Sequence, residues 1–226
     1  MFFLFAFLLV PPQSAHAMFF PNGDFEKGDL SHWFVQEDFS DVASSPLVKA
    51  VDDGTGNHVG ALFTTSAGVK TATLGRDIGT MPAAAQDLFF DYRLFDVGPD
   101  DGGVMTASIP SLSSSFLDSF TISLLTDSGD LNPILTADNA GFTVIDPSLT
   151  SVNLLSNGFY HVNTDVSGLR GANNSKLFFD LADENDGRLT KAWVDNADIT
   201  VTPEPTTIML LSCGLMGLMR LRKKEV

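Results

Sequence analysis

Apolar residues in the middle of the chain form short runs interrupted by polar residues, and they seldom recur with a helical period. The i, i+3, i+4 spacing is almost never kept for three turns, so the pattern predicts no amphipathic helix. Short runs rich in Val, Ile, Thr and Phe and bounded by Gly, Pro, Asn or Asp are typical of strands. About ten strands without helices predict a single β-sandwich, an all-β fold over residues 18–202. The clearest runs are 47–51, 59–65, 69–74, 88–95, 120–126, 142–145, 159–166, 176–181 and 192–201.

Four local features refine this prediction. Alternation along 91–95 and along 120–124 indicates strands with one solvated face. The Asn-Asp-Gly sequence at 185–187 predicts a hairpin turn, because glycine supplies a positive φ. Residues 81–86 predict one short helical turn, and 96–118 predict a long Gly- and Ser-rich loop.

The N-terminus has the pattern of a secretory signal peptide. An apolar run of about ten residues opens the chain and is followed by the small-x-small sequence Ala15-His16-Ala17. Cleavage is predicted after Ala17, which assigns residues 1–17 to the signal peptide. The protein is therefore expected to cross the inner membrane.

The C-terminus combines three features in a fixed order. Pro203-Glu204-Pro205 comes first, then the apolar segment 208–219, and then the basic cluster 220–224. Twelve helical residues rise about 18 Å, short of the roughly 30 Å bilayer core, but flanking threonines and snorkelling basic stems can complete a span. The basic cluster is expected to stay in the cytoplasm and the body outside.

This tail resembles the PEP-CTERM sorting signal of Gram-negative bacteria, over residues 203–226. The resemblance implies recognition of Pro203, Glu204 and Pro205 by a membrane exosortase, which processes the protein near these residues. It also implies transient anchoring in the inner membrane, followed by a location in the cell envelope or outside the cell. Members of the family commonly accompany exopolysaccharide production, so exopolysaccharide is an expected associate.

Charge and cysteine content narrow the possible partners. The chain of 226 residues has a net charge of −15, and residues 18–202 hold 9 Lys and Arg against 26 Asp and Glu. Such a body repels phosphate backbones, which argues against nucleic acid as a partner. The only cysteine, Cys213, lies in the apolar tail, so the body has no disulfide.

Both edges of the body resemble galactose-binding-like jelly rolls, a group that includes several carbohydrate-binding modules. The resemblance rests on Asn22-Gly23-Asp24-Phe25-Glu26 with Gly28 and Trp33, on the Gly-rich turn and strand at 54–62, and on Trp193-Val194-Asp195-Asn196-Ala197-Asp198-Ile199. It implies a jelly-roll sandwich whose first and last strands lie side by side. Residues 96–150 have no counterpart in this pattern.

In such jelly rolls the first and last strands often share a structural calcium ion. Carried over to this sequence, the resemblance gives Glu26 and Asp195 as the main side-chain ligands, with Asp24 and Asn57 as weaker ones. Calcium takes six to eight oxygens, some of them carboxylate and some backbone carbonyl. Carboxylates that only cap turns are the alternative interpretation.

No catalytic motif stands out in the body. His32, His58 and His161 are isolated, and H-E-x-x-H and G-x-S-x-G are absent. The sequence thus favours a non-enzymatic exported protein associated with exopolysaccharide. One alternative is a carbohydrate-binding module, for which Trp33, Tyr92 or Tyr160 at a surface would count, although Trp33 and Trp193 are both expected in the core. The other is a glycoside hydrolase with two carboxyl groups in one cleft.

Overall fold

The computed structural model describes residues 19–37, 46–64, 70–98, 118–127, 129–138, 141–183 and 189–201. The predicted signal peptide, the sorting tail and most of the predicted 96–118 loop lie outside these ranges. Within them, no helix is long and apolar enough to cross a membrane.

The described chain consists of twelve β-strands and one 3-10 turn. Their bounds are β1 Phe34–Glu37, β2 Val48–Asp52, β3 His58–Phe63, β4 Lys70–Gly79, β5 Ala85–Gly98, β6 Ser119–Leu125, β7 Leu131–Asp138, β8 Gly141–Val144, β9 Thr150–Leu154, β10 Tyr160–Asp165, the 3-10 turn Ser167–Leu169, β11 Ser175–Asp183 and β12 Leu189–Val201.

These strands form two six-stranded antiparallel sheets. Sheet I has the order β1-β4-β11-β6-β7-β8, and sheet II has the order β2-β3-β12-β5-β10-β9. The predicted β-sandwich is therefore confirmed, and all nine predicted runs are strands. Three strands were missed, namely β1, β7 and β9. β1 and β9 lie at sheet edges and β7 next to one, where few side chains need to be apolar and the hydrophobic signal is weak.

One local prediction is wrong and another holds only as a tight turn. Residues 81–86 contain a single hydrogen-bonded turn, in which the amide of Ala85 donates to the carbonyl of Pro82, but no helix follows because the chain enters β5 at Ala85. The hairpin predicted at 185–187 does not exist as such. The turn itself lies outside the described ranges, but β11 belongs to sheet I and β12 to sheet II, so the flanking strands do not pair.

The main core lies between the sheets and is rich in phenylalanine. Phe90 of sheet II meets Phe179 of sheet I edge to face, with ring centroids 5.2 Å apart, and Phe120 stacks on Phe179 at 6.4 Å. All three rings are fully buried. Burial of large aromatic side chains is the main favourable term in a domain without disulfides.

The segment before β1 closes one end of this core with turns rather than with a strand. Phe25 stacks on Trp33 at 5.1 Å, and Trp33 packs against Phe179, so Trp33 lies in the core as predicted. The segment also reaches the last strand, since the amide of Ala197 donates to the carbonyl of Gly23 at 2.9 Å. The first segment and the last strand thus lie side by side, although β1 itself belongs to the other sheet.

The outward face of sheet II is unusually buried. Cross-strand pairing aligns Trp193 of β12 with Ala61 of β3 and with Arg93 of β5, all on this face. Trp193 and Phe95 are buried there in a second, smaller apolar cluster. The solvated face predicted for 91–95 is therefore wrong for Phe95 and for Asp91, whose exposure is only 6%.

Candidate functional sites

A hydrogen-bonded polar network occupies one end of the outward face of sheet II. Asp91 of β5 and Asp195 of β12 are directly paired across the strands. Asn196 joins them, because its amide N–H donates to Asp195 Oδ1 at 2.8 Å and its Nδ2 donates to Asp91 Oδ2 at 2.8 Å. His161 Nδ1 lies 2.7 Å from Asp91 Oδ1, and Asn57 Nδ2 donates to Asp195 Oδ2 at 3.0 Å. Each carboxylate oxygen therefore has a partner.

Local backbone geometry sets up this network. Asn196 has a φ of 51°, in the left-handed region, and the pairing of β12 with β5 shifts register between Asp195 and Asp198. Such a bulge turns consecutive side chains toward the same partner strand. Burial raises the pKa of Asp195 to about 7 against the hydrogen bonds from Asn57 and Asn196, and the charges of Asp91 and Glu26 add to the increase.

The residues predicted to bind calcium are only partly brought together. Asn57 and Asp195 are in contact, and Glu26 Oε1 accepts from the amide of His58 at 3.4 Å. Asp24 instead accepts from the amide of Glu26 within its own turn.

The side chains of this group are engaged in protein hydrogen bonds. Both oxygens of Asp195 accept protein N–H groups, whereas calcium requires converging oxygens. No group of three or more His, Cys, Asp or Glu side chains in the described part of the chain could hold a metal ion. Calcium binding stays a prediction, without a coordination set in this arrangement.

The pair formed by Asp91 and Asp195 bears on the hydrolase alternative. A general acid or base needs an oxygen within reach of the substrate. Here the four oxygens are engaged by protein groups, and the two residues are only 6% and 5% exposed. This geometry favours a structural role for the pair.

The aromatic residues considered for a sugar platform are largely enclosed. Trp33 and Tyr92 are buried, with 8% and 1% exposure. Tyr160 is half-buried between Tyr92, which stacks on it at 5.4 Å, and Phe142, which meets it edge to face at 5.4 Å. None of the three presents a free ring face of the kind that stacks on sugars.

Trp193 is buried as expected, but outside the main core. Lys191 Nζ lies 4.3 Å from the ring centroids of both Trp193 and Phe95, and Arg93 lies over Phe95 at 4.7 Å. Burial lowers the pKa of Lys191 to about 8, with a further contribution from Arg93. With an exposure of 4%, Trp193 offers no open binding surface.

An open groove of about 410 Å³ lies where the edges of the two sheets approach each other. We call it the edge groove. Its volume is in the range of small-molecule sites. Its floor includes the buried hydroxyl pair of Thr150 and Thr164, whose oxygens are 2.7 Å apart. The groove is lined by Leu124, Asn132, Pro133, Ile134, Asp146, Leu149, Thr150, Thr164, Asp165, Val166, Ser167, Gly168 and Leu169.

Two similar turns shape one side of the edge groove. Asp146 Oδ1 accepts from the amide and hydroxyl of Ser148 at 2.9 and 2.6 Å, and Asp165 Oδ1 accepts from the amide of Ser167 at 2.7 Å. The amide of Asp165 donates to the carbonyl of Leu149, which joins the two turns. Hydrogen bonds from Ser148 and from Ser167 lower the pKa values of Asp146 and Asp165 respectively, so both carboxylates are ionised at neutral pH.

Sequence reasoning missed the edge groove entirely. The two Asp-x-Ser sequences at 146–148 and 165–167 are recognisable turn signals. Their positions in the chain do not show that they meet, because the pairing of β9 with β10 brings them together.

Residues 201–224 match the model of the PEP-CTERM protein-sorting motif. The chain carries this sorting signal. The motif implies export, sorting to the envelope and processing by an exosortase. The match covers the tail and leaves the sandwich unassigned. The comparison with curated proteins finds no match.

Several solved structures resemble the sandwich. One is TmCBM61 in complex with beta-1,4-galactotriose, at 11% identity, covering 82% of this chain and 99% of that chain with a TM-score of 0.48. Another is CBM27-1 of Caldicellulosiruptor saccharolyticus in complex with mannohexaose, at 15% identity, 78% and 94% coverage and a TM-score of 0.45. A third is a beta-1,2-glucanase from Parabacteroides distasonis, at 14% identity, 84% and 25% coverage and a TM-score of 0.41. Likeness at this level does not indicate a ligand.

Proposed function

We propose that this chain is a non-catalytic protein of the cell envelope or extracellular matrix whose β-sandwich binds exopolysaccharide in the edge groove. The sorting motif at 201–224 supports delivery to that location. The observation that carries the binding role is the groove itself, since it is open, about 410 Å³ in volume and lined by both apolar and hydrogen-bonding groups.

The chemistry of the groove suits a sugar ring. Leu149 is 47% exposed at the rim and, with Ile134 and Leu169, offers apolar surface to the C–H face of a pyranose. Asp146 and Asp165 are both exposed, and each uses Oδ1 to accept hydrogen bonds within its own turn. An ionised carboxylate has about four acceptor positions, so each can also accept hydrogen bonds from sugar hydroxyls.

Burial of the other close pair of carboxylates supports the proposal that the protein is non-catalytic. The buried carboxylate pair, Asp91 and Asp195, is fully hydrogen-bonded away from the groove. The hydrolase alternative would need another pair of carboxyl groups with accessible oxygens. Asp146 and Asp165 are the pair that remains, so release of reducing sugar should be monitored during the binding experiment. We expect no release.

Binding of the full chain, purified in mild detergent, to exopolysaccharide from its own host tests the proposal. Leu149→Ala removes exposed apolar surface from the groove and should weaken binding about fivefold or more. Leu154→Ala is the matched control, because Leu154 is 54% exposed but does not line the groove. Equal binding by wild type and both variants would place any glycan site elsewhere, and no binding at all would refute the proposed function.

A further inference from the structure

Among the described residues, the charged groups that line the edge groove all have one sign. Asp146 and Asp165 lie at its side, and its described lining includes no Lys, Arg or His. The sequence contains no Lys or Arg between Arg93 and Arg170. This stretch supplies all the described lining residues, so it gives the groove an anionic character.

Arg170, the cation next in sequence to the groove lining, donates its hydrogen bond outside the groove. Arg170 follows the 3-10 turn, and its Nε donates to the carbonyl of Ala85 at 2.6 Å. It contributes to the low pKa of Asp165, but less than the hydrogen bonds from Ser167 do. Among the described residues, neither Asp146 nor Asp165 forms an ion pair. The described lining of the groove therefore carries negative charge without a bound cation partner.

The apolar part of the lining limits which kind of cation fits. A simple metal ion gains nothing from contact with Leu149, Ile134 or Leu169, and the groove is too large for one ion. A sugar ring with an apolar C–H face and an ammonium substituent matches both the apolar lining and the negative charge of the groove. The ring covers the apolar side chains while the ammonium reaches a carboxylate.

We propose that the edge groove selects a glycan bearing ammonium groups, such as a polymer of partly deacetylated amino sugar, over a neutral or uronate-bearing glycan. This inference rests on the proposed glycan-binding function and specifies its ligand class. An acidic polysaccharide would place its carboxylates against Asp146 and Asp165 and be repelled.

Three matched probes test the preference on the full chain in mild detergent: a glucosamine oligomer, the N-acetylated oligomer of the same length, and a galacturonate oligomer. We expect the glucosamine oligomer to bind about tenfold more tightly than the acetylated one and the galacturonate oligomer not to bind. The preference should shrink at high salt, because exposed charges are screened.

The variant Asp146→Asn/Asp165→Asn removes both charges while an amide oxygen can still accept the turn hydrogen bonds. It should bind the two hexosamine oligomers equally. Asp77→Asn is the control, because exposed Asp77 likewise accepts from the amide two residues on, that of Gly79, but lies outside the groove. It should keep the wild-type preference.

The outcomes separate this inference from the proposed function. Glycan binding without charge preference, or an Asn variant that behaves like wild type, overturns the inference and leaves the proposed function standing. Failure of all three oligomers to bind, while the host exopolysaccharide binds, also overturns only the inference. Failure of the oligomers and of the host exopolysaccharide to bind overturns both. An oligolysine peptide that competes for binding as well as the glucosamine oligomer does would show that the groove recognises charge alone. That result would overturn the assignment to an amino sugar.

Discussion

Asn57 and Asp195 lie 138 positions apart in the chain, and the side-chain amide of the first donates a 3.0 Å hydrogen bond to the carboxylate of the second. This contact fastens the turn before β3 to the last strand. It lies where the jelly-roll resemblance predicts a calcium ion, and it supplies a hydrogen-bond donor where a cation would need an oxygen.

The buried carboxylate of Asp195 should make stability depend on pH. Its pKa is about 7 in the folded protein, above the ordinary value of 3.8, so the folded state binds the proton more tightly than the unfolded state. Stability is therefore lost as pH rises from about 4 through 7. Between pH 8 and pH 5 the free energy of unfolding should increase by about 2 kcal/mol from this group.

Urea denaturation of wild type and Asp195→Asn at several pH values measures this contribution. The variant keeps the shape of the side chain, and rotation of the Asn57 amide can preserve their hydrogen bond. Its pH profile should be flatter than that of wild type. The slope that remains should come from the general repulsion among the other acidic groups. Parallel profiles would show that Asp195 does not titrate in this window.

The effect of calcium on the melting temperature provides a second test of the same network. Because Asn57 and Asn196 already satisfy Asp195, we expect millimolar calcium and excess chelator to give melting temperatures within about 1 °C of each other. A rise of several degrees with calcium, abolished in a Glu26→Gln variant, would instead support the ligand set predicted from sequence.

Asp198 should be important for holding the first segment on the sandwich. Its Oδ1 accepts from the amides of Phe19 and Phe20 at 2.7 and 2.8 Å, and its side chain is almost fully buried. Asp198→Ala leaves these donors without an acceptor and should lower the free energy of unfolding by about 2–4 kcal/mol. Asp198→Asn keeps an acceptor and should lose less, as measured by denaturant unfolding. A smaller loss in the alanine variant than in the asparagine variant would contradict this role.

Gly23 should tolerate no side chain. A Cβ at this position would overlap the carbonyl oxygen of Ala197, and the carbonyl of Gly23 itself accepts from the Ala197 amide. Gly23→Ala should therefore lower the free energy of unfolding by about 2–4 kcal/mol or prevent folding. Gly168→Ala is the control for thermal unfolding, since a Cβ there meets open space. Similar melting temperatures for the two variants would mean that the segment readily shifts away from β12.

Replacing Pro203, Glu204 and Pro205 with alanine should leave export intact and stop C-terminal processing. Intact mass of protein from the outer fractions of the host measures both. Wild type should have the mass of residues 18 to about 203, plus any attached group. A triple variant that matures to the same mass would contradict the role of these residues in processing.

The sequence by itself determined the fold class and the sorting signal at the C-terminus. Alternating apolar runs specify strands locally, because each strand must bury one face, and the ordered tail of Pro-Glu-Pro, apolar segment and basic cluster is recognised as a linear signal. These properties depend on residues that are neighbours in the chain.

Only the tertiary structure decided which distant residues meet. The sequence placed Glu26, Asn57 and Asp195 together through a resemblance, but it did not reveal the hydrogen bonds from Asn57 and Asn196 that engage both oxygens of Asp195. The edge groove arises because β9 pairs with β10 and carries two ordinary turns to one side of an apolar gap. Strand pairing brings residues together whatever their separation in sequence. Local turn signals and apolar runs therefore cannot reveal a cavity that forms only when particular strands pair.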